Sequence, residues 1–228
     1  MRRLLLMLPL VSPALQAKEL LWCLDDVPGR HQFNGHEFAG PTVDLVRQLV
    51  SSAGFDLAFT PPTPLPRCLR LMEQGEVDLM ARLNYSEDRA RIMHLLPYGK
   101  AQPELLYQAK QAKAIQSRQE LIHYRLGVVR GAVYSAPLLK DLVELKTVEV
   151  GSLAQGFAML MAGRIDAMVA TKAQAQDVLA AEPDWASQVK TAPLQLARTV
   201  EGAVYLGLSR QRLTDNELAA LQQALSHD

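Results

Sequence analysis

Ser86, Glu87, Asp88 and Arg89 follow one another inside the segment GEVDLMARLNYSEDRARIMHLLPY, residues 75–98. Ser86 is the type of residue that caps a helix, its hydroxyl accepting a backbone N–H from the first turn. Arg89 then falls within that turn, beside N–H groups that have no partner inside the helix. A guanidinium is costly at the positive end of a helix unless an anion offsets it. Two sources of anion are open. Glu87 and Asp88 stand alongside, which would make Arg89 an ordinary surface residue. A ligand carboxylate is the other, gripped by two parallel hydrogen bonds and helped by the free N–H groups.

The rest of the sequence carries no enzyme signature. His31, His36, His94, His123 and His227 form no HExxH pattern, and neither a GxSxG elbow nor a GxxxxGK[ST] phosphate loop is present. His31 and His36 lie in a polar, glycine-containing stretch and read as solvated loop residues, with a metal site there the lesser alternative. No catalytic residue, metal or cofactor is expected. Lys+Arg and Asp+Glu both number 24, which argues against a nucleic-acid surface or a polybasic membrane-surface patch. The 49% hydrophobic content excludes a disordered chain.

Residues 1–17, MRRLLLMLPLVSPALQA, have the layout of a signal peptide. Arg2 and Arg3 are followed by an apolar stretch and then by Ala14 and Ala17 near a cleavage point. Pro9 and Pro13 oppose a continuous buried helix. Export to the periplasm through a cleaved leader is therefore expected, and the remaining chain carries a slight acidic excess. Export also colours the two cysteines, Cys23 and Cys68: an even count in an exported protein favours a disulfide, the alternative being two buried thiols. No lipid-anchoring cysteine lies near the leader.

The elements that would position these residues alternate between strand and helix periods. Leu20–Leu24 is a strand, and a helix follows Gly40-Pro41-Thr42 with Val43, Val46, Leu49, Val50 and Ala53 on one face, ending at Gly54. Phe55–Thr60 is a strand, Pro61–Pro66 a loop, Arg67–Gln74 a helix and Val77–Leu83 a strand. A second run has strands at Arg125–Val129, Thr147–Val150 and Ile165–Ala170. Helices are expected at Ser135–Leu139, from Ser152 to Gly163, and at Lys172–Ala181. Ala101–Gln116 between the runs is polar apart from Leu105-Leu106-Tyr107 and reads as a crossover. Near the C-terminus come a strand, Ala203–Leu208, and a helix from Thr214 with Glu217 three residues on. That pair is a capping box, with Leu213 and Leu218 as its hydrophobic staple. The β-α-β rhythm implies parallel sheets covered by helices. One pattern occurs twice: a helix ends at Gly75 or Gly163, one charged residue follows, and a strand opens with Val77-Asp78 or Ile165-Asp166. The echo points to two similar α/β lobes.

Gly75-x-Val77-Asp78 followed by Ser86-Glu87-Asp88-Arg89 and Pro97-Tyr98 resembles the signature of the family 3 solute-binding proteins, the periplasmic receptors that feed amino-acid ABC transporters. Gly40 before a helix carrying Asp44-Leu45, Gly131 after a strand, and Gly163-Arg164-Ile165-Asp166 follow the same order. The resemblance implies an α/β, two-lobe type II periplasmic-binding fold, with mostly parallel sheets flanked by helices and two crossover strands. Lobe 1 would span 18–109, lobe 2 110–190, and 191–228 would return to lobe 1. The resemblance further implies a non-enzymatic receptor that holds a small carboxylate-bearing solute between the lobes and closes about a hinge. Such a receptor works as a monomer read by a transporter permease or a membrane sensor.

Carried over to this sequence, the resemblance makes Arg89 the carboxylate ligand, with Asn84 and Ser86 the polar turn beside it. Asp25, Asp26 and Pro28 lie where the first strand opens into the cleft. Gly131, Ala132, Val133 and Tyr134 supply the loop of the second lobe, Tyr134 either stacking on ligand or packing on its lobe. Arg67 beside the proline loop is expected at the cleft or as a solvated helix-start residue. Thr171 stands at the strand end where amino-acid binders carry an aspartate for the ammonium group, and Ala132 stands where a hydroxyl residue is usual. The carboxylate seat is thus retained while the amino clamp departs from the pattern, with Asp25 or Asp26 as substitutes. A sensory or orphan binding module, and a cyclohexadienyl-dehydratase-like enzyme on the same fold, are the alternatives.

Overall fold

The computed structural model describes residues 17–25, 27, 30–134, 139, 144–197 and 202–226. Residues 1–16 of the leader, Asp26, Pro28, the expected Ser135–Leu139 helix except Leu139, and His227 lie outside the described residues. In chain order the elements are β1 (Glu19–Trp22), β2 (Gln32–Phe33), β3 (Phe38–Ala39), α1 (Pro41–Ser52), β4 (Asp56–Phe59), α2 (Leu65–Glu73), β5 (Leu79–Leu83), α3 (Glu87–Ile92) and β6 (Met93–Lys100). They continue with β7 (Glu104–Ala109), α4 (Arg118–Leu121), β8 (Arg125–Val129), β9 (Lys146–Val150), α5 (Leu153–Met161), β10 (Ala167–Thr171), α6 (Lys172–Ala181), α7 (Pro183–Ala186), β11 (Val189–Thr191), β12 (Ala203–Ser209) and α8 (Asp215–Ser226).

Two five-stranded sheets result, in the orders β4-β1-β5-β12-β6 and β11-β7-β10-β8-β9. β12 runs antiparallel to both its neighbours in the first sheet, and β7 to both of its neighbours in the second. The other pairings, β1 with β4 and β5, and β8 with β9 and β10, are parallel. The chain passes between sheets twice, and the two passages meet where Ala101 N–H donates to the Gly202 carbonyl at 3.2 Å. Glu104–Ala109 therefore belongs to the second sheet rather than to a polar crossover. What hid this strand is Gln108. It is fully buried, and its amide is satisfied locally by the Lys113 carbonyl and the Ile115 N–H, which removes the penalty of burying it.

Each sheet is covered on both faces. In the first, Leu20, Trp22, Val43, Val50 and Leu206 pack on one side, while Cys23, Cys68, Met72 and Met80 pack on the other. In the second, Leu106, Leu126 and Val169 face one layer, and Phe157, Leu160 and Met168 the other. α2 begins at Leu65 rather than at Arg67. Pro66 fits its first turn because that position has no N–H bond to lose.

The repeated pattern is one structural device used twice. Gly75 and Gly163 have φ +70 and +66, the left-handed region that glycine enters without steric cost. Asp78 N–H donates to the Leu21 carbonyl while its carboxylate accepts the Leu21 N–H. Asp166 does the same with Arg125. Each aspartate also takes an arginine, Arg212 for Asp78 and Arg125 for Asp166. Arg212 thereby ties the C-terminal segment to the first lobe, where the Thr214/Glu217 capping box starts α8.

Cys23 and Cys68 form the disulfide, with Cα atoms 5.5 Å apart and a sequence separation of 45. It clamps the end of β1 to α2, both of which present loops to the groove between the lobes. Closing a loop of that length restricts the unfolded chain by about 4 kcal/mol. Denaturant unfolding of Cys68→Ser, or of the reduced protein, is expected to show a loss of that order.

Candidate functional site

Both lobes turn the carboxyl ends of their strands toward one another, where ligands of open α/β sheets bind. The loops after β1 and β4 meet those after β8, β9 and β10, around a cavity of about 380 Å³. The first lobe lines it with Asp25, Val27, Thr63, Pro64 and Leu65. The second supplies Val129, Ala132, Tyr134, Val169 and Gln174, together with the start of α5 at Gly151–Ala154.

Arg89 sits at the seam of the lobes, beside Asn84, Ser86 and Gly131, and none of these four lines the cavity itself. Ser86 caps α3, its hydroxyl accepting the Arg89 N–H at 3.3 Å, and the cap sets the direction in which the arginine leaves the helix. The side chain does not pair with Glu87 or Asp88. Asp88 is instead taken by Arg91. One guanidinium nitrogen of Arg89 donates to the Asn84 carbonyl at 2.8 Å and the other to the Gly131 carbonyl of the second lobe at 3.0 Å. Arg89 is 5% exposed, and its Nε is buried with no hydrogen-bond partner among the described residues. Burial pulls its pKa down to about 10, against the pull of the Asp25 carboxylate.

Two further bonds cross the same seam. Asn84 donates its side-chain N–H to the Val133 carbonyl at 2.6 Å. Arg30 donates to Asp177 on α6 at 2.8 Å. Gly131, at φ +76, lies against Pro66 and Leu69 of α2, within 3.4 to 3.7 Å of where a Cβ would be. Arg82 stands nearby on β5 at φ 59, a conformation that costs an L-residue roughly 1–2 kcal/mol. Burial lowers its pKa, and Tyr98, Arg30, Asp25 and Asp177 are the charges that bear on it.

Asp25 also has a partner the sequence did not suggest. His31 is 1% exposed, not solvated, because its ring packs on Trp22 at 5.8 Å and its Nε2 lies 3.2 Å from Asp25 Oδ1. Its Nδ1 is buried without a partner among the described residues. No group of three His, Cys, Asp or Glu among the described residues stands close enough to hold a metal ion.

Of the other expected residues, Tyr134 lines the cavity, and its phenol oxygen accepts the Val129 N–H at 2.8 Å. Burial pushes its pKa up to about 12, with that N–H opposing and Glu104 adding to the shift. Thr171 caps α6 in a capping box with Gln174 and does not line the cavity; Gln174 does. Arg67 is exposed on α2, away from the cavity wall. Asp26 lies outside the described residues. Sequence reasoning missed Arg30, Asp177, Arg82 and the start of α5. Of these only the last had a local signal, Ser152 as a helix cap after a strand.

No family model and no curated protein sequence matches the chain. Solved structures do. An ancestral arginine-binding protein bound to arginine superposes with a TM-score of 0.77 at 20% identity, over 93% of this chain and 92% of that one. A Salmonella typhimurium periplasmic binding protein described for high arginine specificity gives 0.77 at 14% identity, over 92% and 93%. An amino-acid ABC transporter substrate-binding protein from Streptococcus pneumoniae bound to L-arginine gives 0.76 at 16% identity, over 92% and 88%. The chain has the two-lobed α/β fold of these binding proteins. Among the described residues no helix is long and apolar enough to cross a membrane.

The Arg30–Asp177 pair is about a quarter exposed on each side, so its contribution is that of a partly screened ion pair, within about 1 kcal/mol. Arg30→Ala and Asp177→Ala should each loosen the seam, seen by small-angle scattering as a larger radius of gyration. The double variant should show no more loosening than either single one.

Proposed function

We propose that the protein is a periplasmic solute-binding receptor that captures a small carboxylate-bearing solute in the groove between its lobes. The observation that carries this reading is Arg89, a buried guanidinium at the seam that, among the described residues, has no carboxylate bonded to it and an unpartnered Nε. Main-chain carbonyls supply partial charges only, so a ligand anion is the partner that would offset its desolvation. Asn84, Ser86 and Gly131 act around it: one donates across the seam, one aims the arginine, and one accepts from it. The solved neighbours support the same reading, since their fold serves amino-acid capture in proteins bound to arginine or glutamine.

The mechanism is a population shift. Ligand that touches both lobes favours the arrangement in which they meet, and the passages at Ala101 and Gly202 take up the change as the hinge. Lobe 1 then consists of the chain up to about residue 103 and again from 202, with lobe 2 between them. Residues 1–17 direct export and are removed. The ligand-closed monomer is read by an ABC transporter permease or by a membrane sensor.

A second reading, a dehydratase on the same scaffold, draws on the Asp25–His31 pair at the cavity wall, a carboxylate with a buried base behind it. It requires turnover of prephenate or arogenate by the purified chain.

A thermal-shift panel of amino acids and small carboxylates identifies the tightest ligand, since bound ligand raises apparent stability. For that ligand, Arg89→Ala is expected to weaken binding by calorimetry at least ~100-fold, while circular dichroism stays unchanged. Equal affinity in the variant would remove Arg89 from the site.

A further inference from the structure

Among the described residues Arg82 is the one residue other than glycine with a positive φ, at 59°. It stands in a bulge of β5. Leu83 pairs with Tyr205 and Met80 with Gly207, so Ala81 and Arg82 lie opposite Leu206 alone. An extra residue of this kind bends the strand and re-aims a side chain. The Arg82 N–H donates to the Tyr98 phenol oxygen at 3.0 Å. Tyr98 belongs to β6, on the far side of β12, so the bulge is pinned from two strands away. Glycine takes a left-handed position without steric cost, whereas an arginine there is strained. Strain of this kind gathers at ligand-binding positions, where the side chain has a task.

Nothing within its own lobe uses that side chain. The Arg82 guanidinium donates no hydrogen bond and joins no ion pair among the described residues, although the residue is partly buried. Tyr98, Arg30, Asp25 and Asp177 are the groups whose charge reaches it. Asp177 stands on α6 of the second lobe and is held by Arg30. Asp25 has one oxygen on His31, and its charge also reaches Arg89. Arg82 thus faces the seam from the end of β5, as Arg89 does from α3, and Asp25 lies near both.

A guanidinium offers N–H donors in a rigid fork that matches a carboxylate, and it accepts nothing. Main-chain carbonyls occupy part of the Arg89 fork, while the Arg82 fork is turned to the seam by a strained bulge. We propose that the ligand carries two carboxylates, one held by Arg89 and the second by Arg82. This rests on the reading of Arg89 as the carboxylate seat and narrows the class of solute that seat takes. Asp25, close to both arginines, admits an ammonium, so an acidic amino acid fits the arrangement as well as a plain dicarboxylate. Arg82 then sets specificity. A ligand whose far end is neutral or cationic leaves its donors without an anion, and a site built for one hydrogen-bond pattern rejects another.

Calorimetry on the purified chain with glutamate, aspartate, succinate, glutamine, asparagine and arginine tests it. Succinate lacks the ammonium that the two acidic amino acids carry, so the panel covers both kinds of diacid. The best diacid is expected to bind at least ~10-fold tighter than glutamine, asparagine or arginine. Arg82→Gly is expected to erase that preference and to melt no lower than the unmodified chain, because glycine suits the φ at this position. Arg82→Asn, also tolerant of that φ, is the second variant and is expected to do the same. A monocarboxylate that binds as tightly as the best diacid, with its heat lost in Arg89→Ala, overturns the ligand class and leaves the receptor standing. A diacid preference that survives in both Arg82 variants overturns the role of Arg82. Heat from none of the six overturns the diacid class, and the receptor falls with it unless some other carboxylate raises the melting temperature and loses that effect in Arg89→Ala.

Discussion

A guanidinium removed from water loses hydration that two main-chain carbonyls replace only in part. Arg89 is in that condition. It bonds to Asn84 and Gly131, one carbonyl from each lobe, and its Nε has no partner among the described residues. The Ser86 cap aims it and Gly131 brings a carbonyl to it from the other side. Asn84 and the Arg30–Asp177 pair hold the two sides together around it.

The scaffold serves this arrangement through strand direction. Four parallel-running strands in each sheet send their carboxyl ends toward the seam, and one reversed strand in each, β12 and β7, carries the passage between lobes. The aspartates after Gly75 and Gly163, Asp78 buried and Asp166 partly exposed, tie neighbouring strands together at the starts of β5 and β10. The two connections between the sheets run together through Ala101 and Gly202.

Local signals were legible in the sequence because they depend on neighbours within a few residues. Ser86 as a cap, Thr214 with Glu217 as a capping box, and Gly75 and Gly163 as helix terminators needed nothing beyond their own turns. The α/β rhythm of the two runs was legible for the same reason. What escaped were pairings made by the fold. Arg30 and Asp177 are 147 positions apart. His31 looked solvated because its partners, Trp22 and Asp25, surround it only once β1 has turned into the groove. The strand at Glu104–Ala109 was masked by Gln108, whose polarity is cancelled by backbone groups a few residues on. The residues lining the cavity were partly legible. Tyr134, Ala132 and Asp25 stand on the wall, whereas Arg89, Asn84, Ser86 and Gly131 meet at the seam without lining it, and Thr171 gives way to Gln174, one turn along.

The Nε of Arg89, unpartnered among the described residues, is the atom on which the account turns, and it is observable. Protein labelled with nitrogen-15 at arginine gives one Nε–H signal per side chain, and the Arg89 signal is the one missing from Arg89→Lys. When the carboxylate that raises the melting temperature most is titrated in, that signal is expected to move well beyond the spread of the other arginines. A saturating carboxylate that binds with measurable heat and leaves the Arg89 signal in place would contradict the account.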